Sequence, residues 1–305
     1  MASTMLMLAI PAKVAGVERI VAATPPRADG SVEPSTLAAA RIAGVDMVLK
    51  GNGVALVAAL AFGTESVPRV DAVYGPGPPA INLAMGYAAM YGVRIGPPMG
   101  PSECLVLASD DSDPVQVAAD LLNECEHGPD SSCVLVTDSQ DLASRVSGEV
   151  DRRVESLPQP RKDYARSALS SRGMIVVSSS LEEAAGFVNR YAPEHLQIAL
   201  PEDRCGEIMK LIRNAGEFLF GQMTPFSAAN YAMGTTAVLP TGGSAKGHSG
   251  ITVRDFLKFS TIGALDEEGL KEIWPIVSAL GELEGFAAHV DAARLKMEKA
   301  DEENK

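Results

Sequence analysis

Two histidines of this chain lie close to an acidic residue, at spacings that suit acid–base or metal chemistry. The chain has only four histidines among its 305 residues. Glu194 directly precedes His195, after Ala192-Pro193 and before the run 196–200. An imidazole titrates near neutral pH, so a Glu-His step at a helix-to-strand junction suits general acid–base catalysis. From the residues alone, the same pair equally suits a helix C-cap.

Glu124 and His127 form the second pair. They are three residues apart near the end of a predicted helix over 114–127, so they share one face of that helix. A carboxylate and an imidazole on one face can bind a metal together, or they can simply form a hydrogen bond. From spacing alone, the hydrogen bond is the favoured interpretation.

The other two histidines carry weaker signals. His289 is predicted inside a helix that begins near Glu284, where a half-buried structural histidine is the simplest interpretation. His248 follows a Gly- and Ser-rich stretch, which predicts a loop residue.

Short β-rich segments alternate with Ala-rich helical segments along most of the chain. Strands separated by helices of this length indicate parallel strands joined by right-handed crossovers. From about Arg254 onward, consecutive helices replace the alternation. The sequence therefore predicts an α/β fold with two α/β domains, over residues 1–103 and 104–250, and a helical C-terminal dimerisation arm over residues 251–305.

Composition and charge argue against several kinds of partner. Lys plus Arg total 26 and Asp plus Glu total 39, which gives a net charge of −13. Neither nucleic acid nor an anionic membrane is an expected partner, because phosphate binding needs a basic face. No apolar run reaches the roughly 18 residues that span a bilayer, and no basic residue precedes the apolar start, so we expect no secretory signal. Four cysteines without a C-x-x-C pair indicate reduced thiols and a cytoplasmic protein.

A Gly- and Pro-rich turn, Gly75-Pro76-Gly77-Pro78-Pro79, stands between a predicted strand and a predicted helix. An α/β fold would place a phosphate-binding turn at such a position. Each proline, however, removes a backbone N–H that could donate to a phosphate. A tight strand-to-helix turn therefore explains the glycines better than a phosphate site does.

Six segments of the chain form a recognisable set. They are Leu60-Ala-Phe-Gly-Thr-Glu-Ser-Val-Pro68, Gly100-Pro-Ser-Glu103, Glu126-His127, Ala192-Pro-Glu-His-Leu196, Val238-Leu-Pro-Thr-Gly-Gly243 and Glu284-Gly285 followed by His289. Taken together, these segments resemble the histidinol dehydrogenase family, and their order and spacing match across nearly the whole chain. The resemblance implies two related, incomplete Rossmann-like domains with parallel sheets, and a helical C-terminal arm exchanged between the subunits of a homodimer.

Family members oxidise the amino alcohol histidinol to histidine in two NAD-dependent steps, with a zinc ion that holds the substrate. By this resemblance His195 is the general base that takes the alcohol proton, and Glu194 activates water in the second step. Substrate-binding roles fall on Ser102, Glu284 and His289. The resemblance also makes His289 a zinc ligand that comes from the partner subunit.

The remaining zinc ligands come from matched positions, two of which depart from the family. His127 matches a family histidine, whereas the family's Gln and Asp ligands are Glu124 and Asn230 here. One amide and one carboxylate have exchanged places, so the summed ligand charge is unchanged. The resemblance thus predicts a metal set of Glu124, His127, Asn230 and His289.

Other departures fall on substrate and cofactor positions. A substrate-contacting histidine of the family is Ala237 here, the Gly-Pro-Gly-Asn turn has become Gly-Pro-Gly-Pro with Pro78, and a Gln is replaced by Ala55. The chain also begins at a segment that resembles the family's interior, so the first third of a typical member is expected to be missing. Polar contacts to NAD are therefore removed at three places, and no cofactor-binding residue is assigned.

These residues leave three hypotheses. The first is a histidinol dehydrogenase-like enzyme that oxidises histidinol or a related polar amino alcohol with zinc and NAD, with His195 as general base. The alternative is a divergent member that has lost hydride transfer to NAD and uses the Glu194-His195 pair, with or without metal, for non-redox acid–base chemistry on another small molecule. A non-catalytic member ranks last, because a pure binder has no physical reason to keep the pair.

Overall fold

Strands and helices alternate along most of the chain, as the sequence predicts. The structure is a computed structural model that describes residues 1–303, with side chains as far as residue 299. Its strands are β1 Val21–Thr24, β2 Met47–Lys50, β3 Ala72–Val73, β4 Arg94–Ile95, β5 Glu103–Ala108, β6 Ser132–Thr137, β7 Gly173–Val177, β8 His195–Ile198 and β9 Glu217–Phe220. Its α-helices are α1 Ala2–Val14, α2 Pro34–Ile42, α3 Val54–Phe62, α4 Pro79–Ala89, α5 Pro114–Cys125, α6 Gln140–Val154, α7 Arg161–Arg172, α8 Leu181–Tyr191, α9 Glu202–Met209, α10 Phe226–Tyr231, α11 Glu267–Leu283 and α12 Ala287–Glu303.

The main sheet has five parallel strands in the order β7-β6-β5-β8-β9. This order reverses direction at β5, as in doubly wound Rossmann-like sheets. The central strands β5 and β6 are buried on both sides because helices cover both faces there, whereas the edge strand β7 is largely exposed. On one face, Val106 and Leu135 of the sheet pack against α5, α6 and α7, for example against Leu142 of α6. On the other face, Leu105 and Val136 pack against α8 and α9.

Helix α5 shows how local sequence signals build the packing. Asp113 caps its N-terminus by accepting a hydrogen bond from the Val115 N–H at 2.8 Å, as the sequence predicts, and Pro114 occupies the first turn. Val117 and Leu121 lie on its apolar face and are buried against the sheet. The helix ends at Cys125, two residues before the predicted end at His127.

The first hundred residues contain two small parallel sheets. Strand β1 pairs with β2, and β3 pairs with β4. Helices α1, α7 and α10 were not predicted from the sequence. Helix α1 continues through Pro11, and the polar helix α7 follows a cis Gln159–Pro160 bond.

The chain separates into two compact units, residues 1–257 and residues 258–305. The predicted α/β fold is confirmed for the first unit, and consecutive helices in the second unit fit the predicted arm. A division of the first unit near residue 103, and an arm beginning at 251, stay predictions. Among the described helices, none combines the length and apolar character that crossing a membrane requires.

Candidate active site

The amino ends of three neighbouring strands bring polar side chains to one edge of the main sheet. Strands β5, β8 and β9 begin at Glu103, His195 and Glu217, and the Cα of His195 lies opposite those of Cys104 and Glu217. Because α5 runs antiparallel to the strand that precedes it, its last turn returns to this same edge and carries Glu124 there. Ligands of open α/β sheets usually bind at the carboxyl ends of the strands. This site lies at the opposite edge, where the strands begin.

A sharp change of backbone direction sets Glu194 and His195 in place. Helix α8 ends in a cap at Ala192, whose φ of 55° is left-handed, and strand β8 begins three residues later. The Glu194-His195 pair is therefore part of the αβ junction, and the C-cap interpretation is wrong. The start of β9 comes so close that a Cβ on Gly216 would lie 2.5 Å from the Glu194 carbonyl oxygen, so this approach requires glycine.

The imidazole of His195 is buried and contacted on three sides. Its Nδ1 lies 2.5 Å from Oε1 of Glu217, and its Nε2 lies 3.8 Å from Oε1 of Glu194. The ring of Phe226 meets it edge-on, with ring centroids 5.6 Å apart. With 3% of its surface exposed, His195 is held in one orientation, and its Nε2 faces the Glu194 carboxyl group.

The Glu194 carboxyl group is tied to the strand edge. Its Oε2 accepts a hydrogen bond from the Glu103 N–H at 2.9 Å. The Glu103 side chain in turn accepts one from the Gly242 N–H at 3.1 Å, which fastens the loop containing residues 238–243 to the same edge. A loop that the family resemblance singles out thus lies beside the acid–base pair.

The pKa values of both groups are raised, for different reasons. Burial raises the pKa of Glu194 to about 8, although the nearby His195 charge and the Glu103 N–H favour its ionised form. Burial alone would lower the pKa of His195. The hydrogen bond to Glu217 and the negative charges of Glu194 and Glu124 outweigh burial and raise that pKa to about 9.

Three of the four predicted metal ligands come together at the end of α5. Glu124 is fully buried, and its Oε2 lies 3.5 Å from Nε2 of His127. Its Oε1 accepts a hydrogen bond from the Asn230 side chain at 3.3 Å and another from Asn123 at 2.8 Å. No group of three or more His, Cys, Asp or Glu side chains in the described part of the chain is arranged to hold a metal.

The donor set at this point nevertheless fits a metal. The Oε2 atom of Glu124 is buried and accepts no hydrogen bond within the described structure. This carboxylate oxygen has no hydrogen-bond donor, and an imidazole nitrogen and an amide lie beside it. Together these groups offer the oxygen and nitrogen ligands that zinc accepts. Glu124, His127 and Asn230 are therefore compatible with a cation.

The remaining predicted residues lie elsewhere. Ser102 directly precedes β5 and accepts a backbone hydrogen bond from Ser132, so it belongs to the same strand edge. Glu284 caps the C-terminus of α11, and His289 lies in the first turn of α12 against the Phe286 ring. As predicted, His289 lies inside a helix, which begins at Ala287, three residues after Glu284, because a turn at Gly285, with a φ of 75°, separates α12 from α11. Both residues are exposed and belong to the second unit.

Comparison with known proteins decides the family. The histidinol dehydrogenase family model matches residues 1–297. The chain belongs to the histidinol dehydrogenase family. A histidinol dehydrogenase of Synechocystis sp. is 47% identical over 96% of this chain and 67% of its own length, and one of Methanosarcina barkeri is 42% identical over 96% and 66%.

A solved structure agrees with this assignment. The crystal structure of histidinol dehydrogenase from Elizabethkingia anophelis matches with a TM-score of 0.94 and 35% identity, covering 98% of this chain and 68% of that one. The chain thus spans about two thirds of the length of the relatives it matches. Membership in this family of oxidoreductases confirms the resemblance and the fold.

The turn at Gly75–Pro79 does not fit the phosphate of a family dinucleotide. Helix α4 begins at Pro79 with Pro78 as its N-cap and no side-chain cap. A Cβ on Gly77 would lie 2.6 Å from the Ile81 side chain, so an apolar group fills the space above the turn. Ala55, in the first turn of α3, is exposed and has no polar group to offer.

Two residues of the edge were missed by sequence reasoning. Glu217 and Glu103 each stand at the first position of a strand that is otherwise largely apolar. A lone carboxylate at the start of such a strand is only a weak indication of a functional residue. Strand order and register, which local sequence does not contain, are needed to pair Glu217 with His195.

Proposed function

We propose that this chain has a histidinol dehydrogenase-like activity, the oxidation of histidinol or a related small amino alcohol, with His195 as the general base. The observation that carries the proposal is the buried imidazole of His195, bonded through Nδ1 to Glu217 and facing Glu194 through Nε2. Only Nε2 is then available to take a proton from a hydroxyl group. General base catalysis of this kind contributes about 10²–10⁴-fold to a rate.

Glu194 has a separate role in this proposal. Conversion of an aldehyde to an acid needs an activated water, and a carboxylate beside the imidazole is suited to orient and deprotonate it. The raised pKa of Glu194, about 8, makes its carboxylate a stronger base than an exposed one. Ser102, Glu284 and His289 are proposed to contact the substrate, as the family resemblance implies.

Zinc fits the proposed site through Glu124, His127 and Asn230, with His289 of the partner subunit as the fourth ligand. The support within this chain is the buried Glu124 oxygen without a donor, beside His127. A bound zinc ion would polarise the substrate hydroxyl and lower its pKa. Glu124 and Asn230 would then hold the cation near the proton acceptor.

NAD is the hydride acceptor that family membership implies, but three of the five residues in the Gly75–Pro79 turn are prolines, which have no backbone N–H to donate. No step is therefore assigned to a residue of that turn. A homodimer is proposed as well, because the second unit exposes large apolar side chains that an isolated chain would leave in water, among them Phe259, Ile262 and Leu283.

The test is an assay of NAD reduction by zinc-supplemented protein with L-histidinol and a panel of amino alcohols. Saturable formation of NADH from one of them is the expected result. A His248→Gln variant, altered at an exposed loop histidine, serves as the matched control and retains that rate. Absence of NADH with every alcohol, in protein shown to contain zinc, would contradict the proposal.

One observation favours a second candidate function. The prolines of the turn and the apolar cover at Ile81 remove the usual donors for a dinucleotide phosphate, while the acid–base pair remains buried and bonded. A non-redox acid–base reaction at Glu194 and His195 fits this combination. Substrate turnover that needs His195 but no nicotinamide would distinguish it from the first candidate.

A further inference from the structure

Glu217 is a buried carboxylate with a single bonding partner. Its Oε1 lies 2.5 Å from Nδ1 of His195, and its Oε2 has no hydrogen-bond partner in the described structure. No lysine or arginine among the described residues forms an ion pair with it. A carboxylate is costly to bury unless it is paired. The contact with the His195 imidazole therefore explains how Glu217 can be buried here.

The backbone fixes Glu217 at this place. The Glu217 N–H donates to the Glu194 carbonyl at 3.0 Å, and the Gly216 N–H donates to the Pro193 carbonyl at 2.9 Å. These bonds keep β9 in register with β8, and side chains of register partners point to the same face. Glu217 therefore approaches His195 from a rigid strand instead of a mobile loop.

The contact determines which nitrogen of His195 exchanges a proton. A carboxylate can only accept at neutral pH, so Nδ1 of His195 carries the hydrogen in both the neutral and the charged ring. The hydrogen that comes and goes is then the one on Nε2. Nε2 is the nitrogen that faces Glu194, where the substrate hydroxyl is proposed to bind.

We propose that Glu217 is the positioning residue that fixes the orientation and tautomer of His195. The proposal rests on the proposed function only in naming His195 as the base. Glu217 acts through the imidazole and has no direct part in the chemistry. A buried carboxylate that orients a catalytic histidine through Nδ1 serves the same purpose in serine protease triads.

The first test is independent of activity. In protein labelled with ¹⁵N-histidine and studied at about pH 11, well above the His195 pKa of about 9, the ring is neutral, and the His195 signals are identified by their loss in His195→Gln. The expected wild-type spectrum has hydrogen on Nδ1 and a bare Nε2. Glu217→Leu leaves Nδ1 without an acceptor, so the hydrogen is expected to move to Nε2, where the Glu194 carboxylate can accept it.

Asp120→Asn is the matched control. Asp120, in α5, is also a buried carboxylate, and it makes no hydrogen bond to His195 in the described structure. Its variant is expected to keep the wild-type His195 signals. A wild-type spectrum with hydrogen on Nε2 overturns the proposal whether or not any variant folds, and so does an unchanged tautomer in Glu217→Leu.

Kinetics provides the second test. Loss of the correct tautomer lowers kcat by about 10⁴ in a protease triad, so Glu217→Leu is expected to lower kcat by up to about 10⁴-fold. KM should change less than about threefold, because no substrate contact is lost. Glu217→Asp, which keeps the charge, should recover part of kcat. If the wild type oxidises no alcohol, the proposed function fails, while the tautomer measurement still decides the role of Glu217.

Discussion

The amino edge of the main sheet and the Gly75–Pro79 turn are two places where this fold can hold a ligand, and they differ in what they retain. At the edge, Glu194, His195 and Glu217 are buried and bonded to one another or to the backbone. At the turn, prolines replace the donors and Ile81 covers the backbone. Both are formed where a strand meets an α-helix or loop.

This difference has a physical meaning. Buried ionisable groups destabilise a fold unless they are paired. An apolar turn carries no such penalty. We therefore infer that the three buried ionisable groups at this edge serve proton chemistry, whereas the turn needs no explanation beyond a tight connection. The proposed acid–base pair is buried and bonded, and the turn has prolines in place of several backbone donors.

Replacement of Glu194 should have the largest effect among tests of this comparison. In Glu194→Gln we expect oxidation of the aldehyde to fall about 10²–10⁴-fold, because the amide cannot deprotonate water. The measurement is the rate of NADH formation with the aldehyde supplied directly. Glu182→Gln, an exposed residue in the first turn of α8, should match the wild type. If Glu194→Gln oxidised the aldehyde as fast as Glu182→Gln, a group other than Glu194 would have to activate the water.

The pH dependence of turnover comes next in size. A base must be unprotonated to accept a proton, and the pKa of His195 is raised from 6.5 to about 9. At pH 7 most molecules are therefore protonated, and the rate should rise about tenfold from pH 7 to 8 and about fivefold from pH 8 to 9, roughly 50-fold in all. Initial rates between pH 6 and 10 test this. A rate that is flat from pH 7 to 9 would contradict the raised pKa.

Zinc affinity tests the pairing at the end of α5. Glu124→Ala removes the buried carboxylate and should weaken zinc binding by at least about tenfold. Calorimetric titration of metal-free protein with zinc measures this without any assay of activity. Glu126→Ala, on the neighbouring half-buried glutamate, is the control. If both variants bind zinc as the wild type does, Glu124 is not a ligand.

The smallest effect should come from the turn. Pro78→Asn restores one backbone donor and one amide, and a single added hydrogen bond contributes about 0.5–1.5 kcal/mol. We therefore expect NAD affinity to improve by up to about tenfold, measured by calorimetry. A gain much larger than this would mean that the turn alone limits the affinity for NAD. The contrast between the turn and the sheet edge would then be weaker. An unchanged affinity would place the dinucleotide elsewhere.

The sequence predicted the features that depend on neighbours along the chain. The alternation of strands and helices, the Asp113 cap and the pairs Glu124/His127 and Glu194/His195 are local. Helix α1 was missed because Pro11 argues against it, although burial of Ala9 and Ala12 outweighs that local preference. Helix α7 was missed because its sequence is largely polar.

The contacts that complete the site are not local. Glu217 and His195 are 22 residues apart, and Asn230 and Glu124 are 106 residues apart. Their meeting depends on strand order, on register and on the close approach at Gly216. None of these has a signature in a single sequence. Family resemblance named Asn230, but nothing in the resemblance pointed to Glu217.

The central claim, that the sheet edge carries the chemistry, is tested most directly by His195→Gln. Initial rates of NADH formation from L-histidinol in zinc-supplemented protein would be compared with the wild type and with His248→Gln. Loss of at least about 10²–10⁴-fold in His195→Gln, with His248→Gln unchanged, is the predicted result. Turnover of His195→Gln at the wild-type rate would contradict the account.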